Sequence, residues 1–322
     1  MINSKFYKLF IDEDACMNHF KALKEKHMVG PECGHQEFKW IPYRKAHQCC
    51  QCGKRIPLRK NTMLERSKLP YNYWYAAVHL MTSMKLSVSA KEVQRQLGHK
   101  FYQLIWELCH KIKDVMGRYD NRHKLRGNVE VDEAFFTCYT PAELKNKILT
   151  RGSGSERKEK VVVIAESEFP DKPKKGGKIK ALHHVRMVRV DDLKKDSLNR
   201  VIVRNLGKES VIISDASSSH DDFRRFCKEV VSKVIKPEEM DFFMPWVHTV
   251  ISNTKRMLDA VHHGIMKDYL QYYLDMASYK INRVTENIDP FYPLMDLAVV
   301  QRTGFTSRDY PLAKQYDLFY EF

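Results

Sequence analysis

Apolar residues between positions 71 and 117 recur every three or four residues, which is the spacing of helices with one buried face. This pattern predicts three helices, in YNYWYAAVHLMTSMK, in SAKEVQRQLG and in KFYQLIWELCHKIKDVMGR. Ser89 is a typical N-terminal cap for the second helix, and Gly98 is a typical stop signal after it. A shorter helical pattern occupies residues 6–26, with the acidic run 12–14 as its start signal.

The pattern changes to strands after residue 128. Apolar runs predict strands in NVEVDEAFF, KVVVIAESE, HHVRMVRVD and SVIISDASS. Helices are predicted in DLKKDSLNRVIVRNL, in SHDDFRRFCKEVVSKV, near residues 250–261 and in KDYLQYYLDMASYKINR. Loops rich in Gly, Ser or Lys are predicted at residues 140–160 and 171–180. Strands mixed with helices in this way predict an α/β domain.

The charge of the chain favours nucleic acid as a partner. Lys and Arg number 55 against 40 Asp and Glu, which gives a net charge of +15 and a pI near 9.3. Such an excess indicates a polyanion, with nucleic acid first and an anionic membrane surface second. No apolar run approaches the roughly 18 residues of a membrane span, and the N-terminus lacks the apolar core of a signal peptide. We therefore expect a cytosolic protein with no membrane partner.

The three predicted helices at 71–117 are typical of a helix-turn-helix domain, because they are short, joined by tight turns, and the second ends at a glycine. A three-helix bundle without any DNA-binding role gives the same pattern. Eight cysteines add a second feature, since three of them crowd into positions 49, 50 and 52. In a reducing compartment this clustering favours metal binding over disulfides.

Two acidic residues stand where the predicted strands are otherwise apolar. Alternation places Asp132 on one face of the first strand with Glu130 and Ala134, and turns Glu133 to the other face. Asp215 ends the fourth strand, VIISD. Side chains at the ends of neighbouring strands converge at one sheet edge, where two carboxylates repel unless a divalent cation lies between them. The alternative is that both are ordinary strand-end or helix-capping acids.

Several stretches together resemble the DDE transposases of prokaryotic insertion sequences. The matching segments are VEVDEAFF, IISDASSSH, VHTVISNTKRMLDAVHHGI and YLQYYLDMASYKINR. The resemblance covers residues 6–283 and points to the branch with an N-terminal zinc ribbon, a helical DNA-binding segment and an RNase H-like core. It implies an α/β fold in which an RNase H-like mixed-sheet core follows the ribbon and a helix-turn-helix-like domain. The implied domains are a helical lead-in (1–26), a zinc ribbon (27–62), a helical DNA-binding domain (63–120), a catalytic domain (121–290) and a C-terminal tail (291–322).

The resemblance also implies a catalytic set made of Asp132, Asp215, Asn253 and Lys255. Asp132, Asp215 and Asn253 would hold two Mg²⁺ or Mn²⁺ ions, as two-metal phosphoryl transfer requires. If residues 250–261 are helical, Asn253 and Lys255 do not share a face, and Arg256 lies closer to Asn253. Lys255 could then hold flanking DNA instead of the reacting phosphate.

The implied zinc ribbon lacks one expected ligand. GPECGHQEFKWIPYRKAHQCCQCGKR resembles a four-cysteine ribbon whose first knuckle would read Cys-Pro-x-Cys, but Gly30 occupies the first position. Cys33, Cys49 and Cys52 remain as zinc ligands, the last two in C-x-x-C spacing. The fourth ligand is left open among Cys50, His35, His27 and His47, and a decayed site without zinc is the alternative.

The DNA contacts are expected in or beside the second and third helices and near the catalytic set. The candidate DNA-binding residues are Lys91, Gln94, Arg95, Lys100, His248 and Arg256. Lys and Arg supply phosphate contacts that do not depend on sequence, whereas base reading needs side chains in a groove. For any one of these residues, a merely solvated charge is the alternative.

The function implied is that of a divalent-metal-dependent transposase. It would bind the terminal inverted repeats of its element on double-stranded DNA, cut there, and join the 3′ ends to target DNA. Since two ends must be joined together, we expect a homodimer or larger assembly on DNA, located at the nucleoid in the cytoplasm. The rivals are a DNA-binding protein with a decayed catalytic core and a structure-specific nuclease on the same fold.

Overall fold

The computed structural model describes residues 4–139, 155, 157–169, 180–215, 218–233, 243–262 and 264–306. The chain forms two compact units. The first takes Met1–Met84, Val88–Val115 and Pro290–Tyr310, and the second takes Lys85–Ser87, Met116–Asp289 and Pro311–Phe322. Most of the loops predicted at 140–160 and 171–180 lie outside the described residues.

The α-helices and strands of the described residues are numbered in chain order. The helices are α1 (Ser4–Leu9), α2 (Glu13–Glu25), α3 (Tyr71–Ser83), α4 (Ala90–Leu97), α5 (Tyr102–Asp120), α6 (Lys195–Asn205), α7 (Val247–Asp259), α8 (Leu270–Thr285) and α9 (Phe291–Ala298). The strands are β1 (Phe38–Ile41), β2 (Ala46–Cys49), β3 (Arg55–Pro57), β4 (Asn128–Thr137), β5 (Lys158–Glu168), β6 (Ala181–Val190), β7 (Val211–Asp215) and β8 (Glu229–Lys233).

Local signals place the helix ends of the first unit. The Ser89 hydroxyl accepts a hydrogen bond from the Glu92 amide at the start of α4, and Gly98 ends α4 with φ of 62°. This is the left-handed conformation that glycine adopts without steric cost. Asp12 caps α2 by accepting from the Ala15 amide. The predicted lead-in helix is therefore two helices, α1 and α2, with Asp12 at the start of the second.

A three-stranded antiparallel sheet lies beside these helices in the first unit, in the order β1-β2-β3. Lys24 of α2 donates from its ammonium to the carbonyl oxygens of Pro57, the last residue of β3, and of Leu58 and Lys60 just past it. The contacts satisfy a buried ammonium, although burial still lowers the pKa of Lys24 to about 8. Helix α9 belongs to the same unit, where Phe291 meets the ring of Phe6 edge-on.

The second unit is built on a five-stranded mixed sheet. The strand order is β6-β5-β4-β7-β8, in which β4, β5 and β6 form an antiparallel meander and β7 and β8 run parallel to β4. This order and these directions define an RNase H-like core, as expected. Apolar side chains of β4, β5 and β7 pack with α6 on one face, in a cluster that includes Val129, Val131, Ile164, Ile202 and Ile212.

The helix predicted in SHDDFRRFCKEVVSKV is wrong. Ser218–Arg225 forms a 3₁₀ helix, and β8 follows it. Val230 and Val231 favour extended backbone, and β8 pairs in register with β7 from Val211 opposite Glu229 to Asp215 opposite Lys233. The ladder of backbone hydrogen bonds along β7 therefore outweighs the local helical pattern.

Among the described residues, no helix is long and apolar enough to cross a membrane.

Candidate active site

Asp132 and Asp215 lie side by side on neighbouring parallel strands. β4 and β7 pair with Val131 opposite Ser214, so the next residue of each strand is the aspartate. The side chain of Asp132 is 18% exposed and that of Asp215 is 46% exposed. Burial raises the pKa of the Asp132 carboxyl, and the charges of Glu133 and Asp215 act in the same direction. The two carboxylates therefore repel each other. A cation bound between them would remove this repulsion.

His248 approaches Asp132 from helix α7. Its Nδ1 lies 3.4 Å from Oδ2 of Asp132, while Oδ1 of Asp132 accepts a hydrogen bond from the Glu133 amide. His248, a candidate DNA-binding residue from the sequence, is therefore in direct contact with Asp132. It occupies the first turn of α7, so its position depends on how that end of the helix is held.

A buried carboxylate on β4 holds the N-terminus of α7. Glu130 is fully buried, and its Oε2 accepts hydrogen bonds from the amides of Trp246 and Val247 at 2.8 and 2.9 Å. A negative charge at a helix N-terminus is stabilised by the helix dipole and by the amides that lack helical partners. Glu130 thereby fixes the first turn of α7, and with it His248, against the strand that carries Asp132.

We expect Glu130→Gln to destabilise the protein by about 1–2 kcal/mol, because the amide keeps the shape but loses the charge at the helix end. Urea unfolding measures the change. Glu229→Gln is the matched control, since Glu229 is an exposed glutamate on β8. Equal unfolding midpoints for the two variants would show that the charge of Glu130 does not hold α7.

Sequence reasoning missed His220, which joins two acids. Its Nε2 lies 2.7 Å from Oε1 of Glu133, and its Nδ1 lies 3.1 Å from Oδ1 of Asp215. Burial opposes the imidazolium, but the contacts with Glu133 and Asp215 outweigh it and raise the pKa of His220. Glu133 is turned to the opposite face from Asp132, yet it is linked to Asp215 through this histidine. A histidine a few residues past a strand-end aspartate was the available signal.

The structure places the predicted residues of α7 on different sides of that helix. Asn253 is exposed, and its Oδ1 accepts from Nη2 of Arg256 at 3.1 Å, as the helical spacing predicted. Lys255 places its ammonium 5.6 Å from the ring centre of Phe136 on β4. Lys255 and His248 are seven residues apart, which puts them on one face of the helix toward β4. Asn253 and Lys255 remain predicted members of the site.

The predicted zinc ligands form a cluster in the first unit. Candidate ligand atoms of Cys33, Cys49 and Cys52 lie within 4.8 Å of one another, and the sulfurs of Cys33 and Cys49 are 3.5 Å apart. Backbone amides of Cys52 and Gln51 hold the pKa of the Cys49 thiol below its ordinary value. Thiolate is the form that binds zinc, so the cluster is compatible with a zinc ribbon.

Of the candidates for the fourth zinc ligand, two histidines contact glutamates and one cysteine is exposed to solvent. Nε2 of His47 lies 2.8 Å from Glu25, Nε2 of His35 lies 3.6 Å from Glu37, and Cys50 is exposed. Gly30 borders the cluster directly, because a Cβ on Gly30 would fall 2.8 Å from the sulfur of Cys33. Position 30 is therefore close enough to supply the ligand that the sequence lacks.

We expect Gly30→Cys to raise the affinity for Zn²⁺. Outer-shell partners of metal ligands alone are worth about 10–100-fold in affinity, and a fourth thiolate should add at least as much. Competition with a chromophoric zinc chelator measures the gain. Gly30→Ser is the matched control, because it adds the same Cβ and a poor zinc ligand. Equal affinities for the two variants would contradict a vacated ligand position at residue 30.

The candidate DNA-binding residues Lys91, Gln94 and Arg95 lie along α4, and Lys100 lies in the turn that follows. Arg95 is 69% exposed and pairs with Glu92, and this contact lowers the pKa of Glu92 to about 2. Gln94 accepts from Lys91 and donates to the carbonyl of Lys100. Gln94 therefore links Lys91 to the backbone of Lys100, whereas Arg95 is paired with Glu92.

An RNase H-like sheet with paired carboxylates on adjacent strands is typical of enzymes that cut or join nucleic acid strands. Residues 124–282 match the family model described as the ISXO2-like transposase domain. This match supports a DDE-type insertion-sequence transposase. The matched segment contains β4, β7 and α7, and therefore all the residues of the candidate active site. No curated protein matched the chain.

Proposed function

We propose that this transposase binds the terminal inverted repeats of its own element, cleaves the DNA there in a metal-dependent reaction, and joins the freed 3′ ends to target DNA. The observation that carries the proposal is the in-register placement of Asp132 and Asp215 on β4 and β7, inside the segment that matches the transposase family. Cutting and joining are both phosphoryl transfers, so one site can perform both.

The donor set fits hard divalent cations. Asp132 and Asp215 offer carboxylate oxygens from neighbouring parallel strands, and Mg²⁺ and Mn²⁺ prefer oxygen ligands. The amide oxygen of Asn253 would complete the set, once Arg256 turns from it toward a DNA phosphate. When bound, two such ions supply activation of the attacking hydroxyl and stabilisation of the leaving oxygen.

The remaining side chains orient the ligands and the DNA. His220 fixes the Asp215 carboxylate by contacting it and Glu133 at the same time. Glu130 fixes α7, so that His248 stays beside Asp132. Lys255 lies on the same helix face as His248, where its ammonium can pair with a phosphate of the bound strand. These contacts support pre-organisation of the site before DNA arrives.

A cleavage and joining assay tests the proposal. Purified full-length protein is mixed with labelled DNA that carries the element's inverted repeats, in the presence of Mg²⁺ or Mn²⁺. The proposal predicts nicks at the repeat ends and joined products with unlabelled target DNA. Binding without cleavage would favour a decayed DNA-binding protein, and cleavage without joining would favour a structure-specific nuclease. Either result would overturn the proposal.

We further propose that α4 and the turn after it contact DNA through Lys91, Gln94, Arg95 and Lys100. Arg95→Ala should weaken binding to DNA and reduce by about one the slope of log affinity against log salt, because one phosphate contact is lost. Arg200→Ala is the control, since Arg200 is an exposed arginine on α6. Fluorescence anisotropy over a salt series measures both. An unchanged slope for Arg95→Ala would remove α4 from the interface.

The proposed reaction also implies an assembly and a location. Two element ends must be held together for joining, so the protein would act as a homodimer or larger complex on DNA, and light scattering with and without DNA tests this. Work on chromosomal DNA would place it at the nucleoid in the cytoplasm. Zinc in the ribbon would act on folding of that segment, since a ribbon this small has little core of its own.

A further inference from the structure

A second group of metal-type ligands lies in the RNase H-like unit, apart from the candidate active site. His123 precedes β4, Glu166 lies near the end of β5, and His183 lies near the start of β6. Nε2 of His123 is 3.1 Å from Oε2 of Glu166, and Nδ1 of His183 is 3.2 Å from Oε1 of Glu166. The three ligand atoms all lie within 4.8 Å of one another.

An irregularity in the sheet creates this arrangement. Glu166 of β5 pairs with His184, but Ser167 pairs with Leu182, so His183 is the extra residue of a β-bulge. A bulge re-aims a side chain that regular alternation would direct elsewhere. Here it lets His183 reach Glu166, while the neighbouring His184 is buried and contacts Asn282 through its Nε2.

The carboxylate is held and the imidazoles are accessible. The side chain of Glu166 is 12% exposed and also accepts a hydrogen bond from the Arg126 amide, whereas His123 is 40% and His183 47% exposed. Hydrogen bonds of this kind orient a metal-ligating carboxylate. His123 also lines a cavity of about 330 Å³, together with His184 and Glu286.

We propose that His123, Glu166 and His183 bind a zinc ion, or another divalent ion of the first transition row that prefers imidazole. Two imidazoles and one carboxylate match the ligand preference of these ions and differ from the oxygen set around Asp132. The ion ties the segment before β4 to β5 and β6. Glu166 is paired with Val129, three residues before Asp132 on β4. The proposed DNA reaction does not use His123, Glu166 or His183.

The alternative is that both imidazoles only contact Glu166 and hold no metal. Zinc titration of the full-length protein in excess Mg²⁺ separates the two, because that cluster of contacts needs no metal. The number of bound zinc ions is compared in wild type, His183→Gln and Glu166→Gln. His99→Gln is the matched control, a histidine in the first unit outside the cluster.

The proposal predicts that His183→Gln and Glu166→Gln each lose one zinc equivalent, or bind it at least about tenfold more weakly, while His99→Gln binds as wild type. Co²⁺ provides a second readout. The thiolate charge-transfer absorption of Co²⁺ bound at the cysteine cluster should be the same in both variants and in wild type. The Co²⁺ equivalent that the variants fail to bind should contribute no such absorption in wild type. Because His183 is largely exposed, its substitution leaves the fold in place, and thermal unfolding of the metal-free variants checks this. Unchanged zinc binding by folded His183→Gln would overturn the proposal, whether or not the protein transposes DNA.

Discussion

Asp132→Asn and Asp215→Asn should each lower metal-dependent DNA cleavage by at least about 10²–10³-fold, the loss typical when a group that stabilises transition-state charge is removed. The amide keeps the shape of the carboxylate but cannot supply its charge to a cation. Both positions come directly after the last residues that β4 and β7 pair with each other, and these are two inner strands of the sheet. Quantified cleavage of end-labelled DNA under Mg²⁺, at one enzyme concentration, measures the effect.

A control variant and a measurement of DNA affinity separate a loss of catalysis from a loss of DNA binding. Asp196→Asn removes an exposed carboxylate from the first turn of α6 and should cleave at the wild-type rate. The affinity of both active-site variants for DNA should not fall, because removing a negative charge near bound phosphates does not weaken their attraction. Wild-type cleavage by either variant would show that the paired aspartates do not carry the reaction.

Arg283→Met should destabilise the protein by about 3–5 kcal/mol, the usual cost of removing one partner from a buried ion pair. Nη2 of Arg283 lies 3.2 Å from Oδ1 of Asp120, and both side chains are almost fully buried. The guanidinium also lies over the rings of Tyr119 and Tyr279. Removing it leaves the buried Asp120 carboxylate with less compensation, from the Asn282 amide and the charge of Arg186. Denaturant unfolding at pH 8 measures the loss.

The pH dependence of this loss has a defined sign. Burial raises the pKa of Asp120 from 3.8 to about 6, although Arg283 opposes the change. The folded protein therefore keeps a proton that the unfolded chain releases, so the contribution of Asp120 is fully present below about pH 4 and is lost as the pH rises through about 6. Without Arg283 the charged carboxylate is disfavoured further, so the variant should lose less stability at pH 5 than at pH 8.

A double variant and a surface control complete this test. Asp120→Asn combined with Arg283→Met should be more stable at pH 8 than Arg283→Met alone, because the buried carboxylate that lost its main partner is removed as well. Arg200→Met changes an exposed arginine on α6 and should alter stability by less than about 0.5 kcal/mol. If Arg283→Met and Arg200→Met unfold at the same denaturant concentration, the buried pair contributes nothing that matters to folding.

Much of the fold could be predicted because its signals are local. Ser89 and Gly98 bracket α4 as expected, since capping depends on a side chain and on backbone conformation at single positions. The run that ends at Asp215 predicted β7, because a continuous apolar segment bounded by polar residues indicates a buried strand. The match of residues 124–282 to the transposase family agrees with the resemblance seen in the motifs around Asp132 and Asp215.

The features that sequence reasoning missed depend on contacts between distant segments. β8 forms because its backbone pairs in parallel with β7. The helical pattern of the sequence around Phe223 does not predict this pairing. His220 becomes important because its ring meets Glu133, 87 residues earlier in the chain. The bulge at His183 is a property of the pairing of two strands, so neither strand alone predicts it. In each case tertiary pairing, not local propensity, decides the outcome.

The most direct test of the central claim is anomalous diffraction from crystals of the full-length protein bound to its element-end DNA and soaked in Mn²⁺. The proposed reaction requires anomalous peaks within bonding distance of the carboxylates of both Asp132 and Asp215, next to the phosphate to be cut. Mn²⁺ bound elsewhere, with these two carboxylates free of metal in the DNA complex, would contradict it.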